Sequence, residues 1–460
     1  MSKQSMQSNG GAGPHVAVLA YPFTCHPFTL LAFTRGLASA APNALFSFLC
    51  PGKCNSSQQV PSNVRVYNVW DGAPAGNGLE DVALFMKVEH AIFKKGVEVA
   101  VAETGRKLSC LVSDSFVRVG KEMAEENGVA WVTYFVSGAA ALSSHVYTDL
   151  IRQKFRVAAT GGEDETLDFI PGMSKVRVRD LPEGIVTGDL DSSFSHMLHQ
   201  MSQELHQATA VFINSFEELY PSITKDMESK LKKLLSVGPL VFSTPPTTVP
   251  DSHGCLPWLD KQKPATVAFI SFGSGASPCP PNELIALAEA LEASRLPFLW
   301  SLRDQAKQHL PKGFVEGANG MVVPWAPQID VLAHGAVGVF ISHGGFNSTL
   351  ESIASEVPMI VRPFFADQMI NGRMVEAVWE IGVVVKGGTF TKNDTMNCLD
   401  MALAQEKGRE WRKNMKAIKE MALTALVTSS WPTNEDAIYY PKEEDAIRQN
   451  KFQCVHCSRF

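Results

Sequence analysis

The sequence predicts an α/β protein of two doubly wound domains facing each other across a cleft. Three observations carry this. Short apolar runs of strand length recur along both halves with helix-like segments between them, the pattern of a parallel sheet covered on both faces. With 460 residues the chain is too long for one ordinary core. A proline-bearing stretch, Pro239 to Cys255, interrupts the alternation, and its fixed φ angles and missing N–H donors suit a linker better than a helix or central strand.

The expected domains are 15–238 and 256–427, joined by the linker 239–255 and flanked by a disordered tail, 1–14, and a divergent tail, 428–460. His15 to Tyr21 reads as the first strand, followed by a loop carrying His26 and by the helical pattern Leu30, Leu31, Phe33, Leu37. Further strands are expected at Ala44 to Leu49, Val64 to Val69, Leu108 to Val112 and Val129 to Phe135, with helices over Ala83 to Thr104 and Val117 to Glu126. Ala210 to Asn214 reads as the last strand of this half, before a Lys-rich helix near Lys225 to Leu235. The second half restarts with Val267 to Phe272, Pro297 to Ser301, Gly320 to Val323, Val337 to Ile341 and Pro358 to Val361.

The composition, 45% hydrophobic and 19% charged, is that of a globular protein. A formal charge of −6 without a long single-sign block leaves no footprint for nucleic acid or an anionic membrane. The start has no secretory pattern, and no apolar run reaches the length of a membrane span. Nine scattered cysteines suit a reducing compartment better than a disulfide framework, so a cytoplasmic protein is expected; a monomer is expected as well. The isolated C-x-x-C at Cys454 and Cys457 is given no role.

Ligands of open α/β sheets bind beyond the carboxyl ends of the strands. The run Val337 to Ile341 leads into His343-Gly344-Gly345-Phe346-Asn347-Ser348, which reads as strand, tight turn and helix start. The glycines let the backbone approach a ligand, Asn347 or Ser348 can cap the helix, and its positive end attracts a pyrophosphate. Trp325 offers a plate for a planar base with the backbone of Ala326 at its edge, or is packing filler. Glu351 falls one helical turn after Asn347, and Asp367-Gln368 follow the aromatic pair Phe364-Phe365. Together, Trp325 to Gln368 read as a site for a nucleotide-activated sugar. In the first half, His26 is a candidate general base at a strand end. Asp114, after Leu111-Val112-Ser113, either orients that imidazole or caps the next helix, and spacing leaves both open. A sugar-nucleotide epimerase is disfavoured, because residues 21–27 lack a G-x-G-x-x-G loop.

The stretch Trp325 to Gln368 resembles the signature box of the plant secondary-product glycosyltransferases, which are UDP-sugar-dependent. The blocks Ala102-Glu103-Thr104-Gly105-Arg106, Ile170-Pro171-Gly172-Met173-Ser174, Asp180-Leu181-Pro182-Glu183-Gly184 and Phe212-Ile213-Asn214-Ser215-Phe216-Glu217-Glu218 are similar to the flavonoid and anthocyanidin 3-O-glucosyltransferase branch. The resemblance implies a GT-B type fold with two Rossmann-like domains and inverting, metal-independent transfer of glucose from UDP-glucose to a phenolic hydroxyl. It implies that His26 is the base and Asp114 its partner. Trp325, with the backbone of Ala326, would hold uracil, and Gln328 and Glu351 the ribose. His343, Gly345, Asn347, Ser348 and Ser274 would bind the diphosphate, with His343 and the helix end neutralising it, and Asp367 with Gln368 would bind the sugar. A terminal glutamine is associated with glucose as donor. Thr24, Phe116, His145, Phe194 and Phe365 are expected around the acceptor. The chain departs from the family pattern at Phe346, where tryptophan is usual, at Val136, where a threonine touches the sugar, at Arg118, where an aromatic is usual, and after Val427, where a crossing terminal helix is expected. These departures motivate an alternative: a catalytically weak or inactive relative that binds UDP-sugar or a phenolic ligand.

Overall fold

A computed structural model describes residues 13–23, 25–52, 60–70, 79–155, 162–243, 250–273, 279–314 and 319–428. Thr24, Ser274, most of the N-terminal tail, the tail beyond Thr428 with its C-x-x-C, and linker residues 244–249 lie outside them.

The first half folds into a parallel sheet of seven strands. These are β1 His15–Leu19, β2 Leu45–Pro51, β3 Val64–Trp70, β4 Cys110–Asp114, β5 Ala130–Phe135, β6 Ala210–Ile213 and β7 Leu234–Ser236, in spatial order β3-β2-β1-β4-β5-β6-β7. The second half gives six parallel strands: β8 Val267–Ser271, β9 Phe298–Ser301, β10 Gly320–Val323, β11 Val337–Ser342, β12 Met359–Val361 and β13 Gly382–Val384, ordered β10-β9-β8-β11-β12-β13. Two sheets of this kind are the expected two-domain α/β architecture.

Period-two geometry explains why the central strands read as unbroken apolar runs. In β1, Ala17 and Leu19 enter one hydrophobic layer while Val16 and Val18 enter the opposite one. In β8, Val267 and Phe269 face one way and Ala268 and Ile270 the other. Both sheets reverse their strand order beside the central strand, between β1 and β4 and between β8 and β11. Such switch points open crevices at the carboxyl ends of the strands.

Several expectations need correction. Ala210 to Ile213 is not the last strand, because β7 pairs beyond it, and the Lys-rich helix ends at Lys230 rather than continuing to Leu235. Only three residues long and preceded by Lys232 and Lys233, β7 has too short an apolar signal to separate from the helix. β13 was missed for the same reason of length. The expected linker begins as structure: Leu240–Ser243 form a helical turn, anchored where the N–H of Leu240 donates to Asn214 Oδ1 at 2.8 Å. Cysteine usage also differs: among the described residues Cys25, Cys110, Cys255, Cys279 and Cys398 are free, but Cys50 is disulfide-bonded.

One apolar cluster runs through both halves, joining Leu219 and Tyr220 of the first to Phe346, Trp379 and Ile418 of the second. Polar ties reinforce it: Trp379 Nε1 donates to Leu219 O at 3.3 Å and Lys175 Nζ to Ala377 O at 2.7 Å. The helix Glu406–Thr428 packs against Glu217–Leu219, so the second half already crosses to the first before the divergent tail begins. No helix among the described residues is long and apolar enough to cross a membrane.

Candidate active site

The first helix, α1 (His26–Ala40), begins at His26, with Pro27 in its first turn, so the histidine sits on a helix start rather than in a loop. Its Nδ1 lies 2.8 Å from Oδ2 of Asp114, the last residue of β4, and both groups are buried. The other oxygen of Asp114 accepts the N–H of Phe116 at 2.9 Å. Asp114 is therefore placed to orient the imidazole, and its other oxygen closes the turn after its own strand rather than capping the next helix, Gly120–Asn127, whose N-cap is Val119. The ring is held between Tyr21 and Phe116, with centroids 4.9 and 4.8 Å away. A neutral imidazole that donates from Nδ1 to this carboxylate carries its lone pair on Nε2.

Across the cleft, β11 runs into Ser342-His343-Gly344-Gly345 and the helix Phe346–Ala354. Gly344 has φ of +81°, and a Cβ there would come within 2.6 Å of Val361 Cγ1. The N-cap is Gly345, with no side-chain cap, so Asn347 and Ser348 occupy the first turn instead of capping it. Leaving the helix end uncapped keeps its first N–H groups available to an anion. His343 is wedged between Gly273 and Gly345, where added Cβ atoms would lie 2.8 Å from its Cε1 and 2.4 Å from its Nε2. Burial drives its pKa down to about 4. This desolvation opposes the positive charge expected of His343 beside a diphosphate, whose own negative charge would act in the other direction.

The remaining residues of the second half form two polar groups. Gln328 Nε2 donates to Ser348 Oγ at 3.0 Å and to Glu351 Oε2 at 2.7 Å, which gathers these three side chains. Burial raises the Glu351 carboxyl to about 7, opposed by the bond from Gln328. Beside them Trp325 is 42% exposed, unusual for a tryptophan used as packing filler, while Ala326 is buried. In the second group Asp367 Oδ2 accepts from Ser137 Oγ and from Asn371 Nδ2 at 2.9 Å, and burial raises its pKa. Gln368 Oε1 accepts the N–H groups of Phe364 at 2.8 Å and Phe365 at 3.3 Å, fixing the turn after the aromatic pair.

Asn347 is engaged across the cleft, where its Nδ2 donates to Thr29 Oγ1 at 2.9 Å and its Oδ1 accepts from Asn214 at 3.2 Å. Of the expected acceptor set, Phe116 touches His26. Phe194 and Phe365 are half-buried, and neither is among the ring contacts of His26. His145 is buried in the helix Ala139–Val146 with an unpartnered Nδ1 and a pKa pushed down to about 4. Arg118 is explained by Glu89, a buried residue invisible to motif reading: Arg118 Nε donates to Glu89 Oε1 at 2.7 Å. Ser137, Thr29 and Asn214 were missed. Ser137 and Asn214 follow β5 and β6, so the strand-end rule applied to Asp114 would have flagged them too.

Residues 250–420 match the family model described as UDP-glucoronosyl and UDP-glucosyl transferase. The chain is 52% identical over 449 residues to the anthocyanidin 3-O-glucosyltransferase of Vitis vinifera, covering 94% of this chain and 98% of that relative. The chain belongs to the UDP-glycosyltransferase family. It is likewise 48% identical over 425 residues to an anthocyanidin 3-O-galactosyltransferase of Actinidia chinensis var. chinensis, across 90% of this chain and 93% of the relative. Among solved structures it is similar to a UDP-glucose: anthocyanidin 3-O-glucosyltransferase in complex with UDP, with a TM-score of 0.84 and 40% identity over 90% of this chain and 95% of that one. The two-sheet architecture of this transferase is the GT-B fold.

Within this family frame Phe346 fills the usual tryptophan position. It is buried, and its ring edge lies 2.7 Å from where a Cβ on Gly138 would stand. The hydroxyl of Tyr220 is 2.5 Å from the same point and has no hydrogen-bond partner.

Proposed function

We propose that the enzyme transfers glucose from UDP-glucose to the 3-hydroxyl of an anthocyanidin or flavonol, in one displacement with inversion at C1. The observation that carries this is the buried His26–Asp114 pair, 2.8 Å apart, set opposite an uncapped helix end at the second sheet's switch point. His26 Nε2 takes the acceptor proton while the oxygen attacks C1, and Asp114 stabilises the imidazolium that forms. Charge builds on the departing diphosphate, where the N–H groups after Gly345 meet it, without a metal ion. Trp325 stacks on uracil with the backbone of Ala326 at its edge. Gln328, Ser348 and Glu351 hold the ribose side, and Asp367 and Gln368 the sugar. Phe116, with Phe194, Phe365 and His145 further out, forms the acceptor wall.

Similar relatives bear both glucosyl and galactosyl names, so overall likeness does not choose the donor. Gln368 favours glucose. The test is a mass-spectrometric screen of UDP-glucose and UDP-galactose against flavonols and anthocyanidins. A monoglucoside formed fastest from UDP-glucose is expected. Saturable UDP binding without turnover on any acceptor would instead support the weak-relative reading that Phe346 and Val136 motivate.

A further inference from the structure

Ser137 stands two residues beyond β5, in the first half, and its hydroxyl donates to Oδ2 of Asp367, in the second half, at 2.5 Å. The residue is buried, and the bond spans the cleft. Its backbone is fixed from both sides. Gly138, the N-cap of the following helix, packs so tightly on the ring of Phe346 that an added Cβ would lie within 2.9 Å of two ring atoms. On the other side, Val136 is buried in the apolar layer with Val132 and Tyr134, so the β5 end presents the hydroxyl of Ser137 to Asp367. Asp367 Oδ2 also accepts from Asn371 Nδ2, which donates in addition to Gly344 O at 3.1 Å. Two donors therefore hold Oδ2, and no other side chain among the described residues bonds Oδ1.

We infer that Ser137 is a positioning residue for the donor sugar: it holds one oxygen of Asp367 from the opposite domain, so that the other is aimed at a sugar hydroxyl only when the cleft is closed. The inference rests on the reading of Asp367 as a sugar ligand. A carboxylate carrying one fixed donor on each side of Oδ2 has lost its torsional freedom before the sugar arrives, which is how a preorganised contact gains selectivity. Because one of the two donors belongs to the acceptor half, sugar capture and domain closure become one event.

The test is a mutant cycle on kcat/KM for UDP-glucose with a flavonol acceptor, using the wild type, Ser137→Ala, Ser137→Thr, Asp367→Asn and the double variant Ser137→Ala with Asp367→Asn. Isothermal titration of UDP, which has no sugar, is the control. Ser137→Ala is expected to lower kcat/KM by about tenfold, chiefly through KM for UDP-glucose, the size of a lost hydrogen bond to a charged group. Its Kd for UDP stays that of the wild type, Ser137→Thr recovers most of the loss, and in the Asp367→Asn background the serine change costs nothing further. An equal weakening of UDP binding, or a loss that multiplies fully with that of Asp367→Asn, overturns the inference alone. Wild-type kcat/KM in Asp367→Asn overturns the sugar reading of Asp367 itself.

Discussion

Asp114→Asn changes one buried atom and isolates the role of the carboxylate. The replacement is isosteric, and its remaining oxygen can still accept the N–H of Phe116, which Asp114 holds at 2.9 Å. What changes is the group 2.8 Å from His26 Nδ1, where an amide N–H replaces a charged acceptor. Two effects follow. The imidazolium loses a partner whose charge centre is about 4 Å away; at an effective dielectric of about 20 that interaction is about 4 kcal/mol. Screening is weak, because the His26 and Asp114 side chains are 10% and 0% exposed. With half the charge developed in the transition state, about 2 kcal/mol is lost, roughly 30-fold in rate. The asparagine N–H also forces the proton onto Nε2, leaving the wrong tautomer to act as base, so the expected fall in kcat is on the order of 10²- to 10³-fold. Initial rates with UDP-glucose and a flavonol measure it, with unchanged UDP affinity and circular dichroism showing that the fold persists. A kcat within about threefold of the wild type would refute the assignment of a charge-supported base.

Two further outcomes follow from Glu351 and Phe346. Glu351 has its carboxyl raised to about 7 by burial. Between its unfolded pKa and that value the native state holds a proton that the unfolded chain has released, so stability falls as pH rises through this window. Glu351→Gln should flatten the decline by about 1–3 kcal/mol, seen as a smaller loss of Tm from pH 5 to 8, and parallel curves for the two proteins would exclude it. Phe346→Trp enlarges a ring already pressed on Gly138 and should cost about 1–3 kcal/mol by overpacking, unless its N–H reaches the unpartnered Tyr220 hydroxyl. Thermal denaturation decides between these, and a raised Tm would mean that the hydroxyl has been satisfied.

Much of the fold was legible because β1, β8 and β11 are buried on both faces, which forces unbroken apolar runs in the sequence. β7 and β13 escaped because three-residue edge strands carry too little pattern to compete with the helical residues around them. At the site, local chemistry marked the Gly344–Gly345 turn and the strand-end position of Asp114, while His26 was legible as a candidate base but not as the start of a helix. It could not show that Asn347 turns to Thr29, that Asp367 meets Ser137, or that Arg118 is anchored by Glu89. Each of these pairs joins residues distant in sequence, and no periodicity encodes which polar groups meet when two domains close. His343 illustrates the electrostatic version of the same limit: its residue type suggested a cation, but packing between Gly273 and Gly345 lowers its pKa, which residue type alone does not announce.

The most direct measurement is the product formed from UDP-glucose and a flavonol by the wild type and by His26→Ala, with the anomeric configuration read by proton nuclear magnetic resonance. A 3-O-β-glucoside from the wild type, and product formation reduced by at least about 10³-fold in the variant whose UDP affinity is intact, is the predicted result. An α-linked product, or a His26→Ala enzyme that still turns over at a comparable rate, would contradict single displacement by a histidine base.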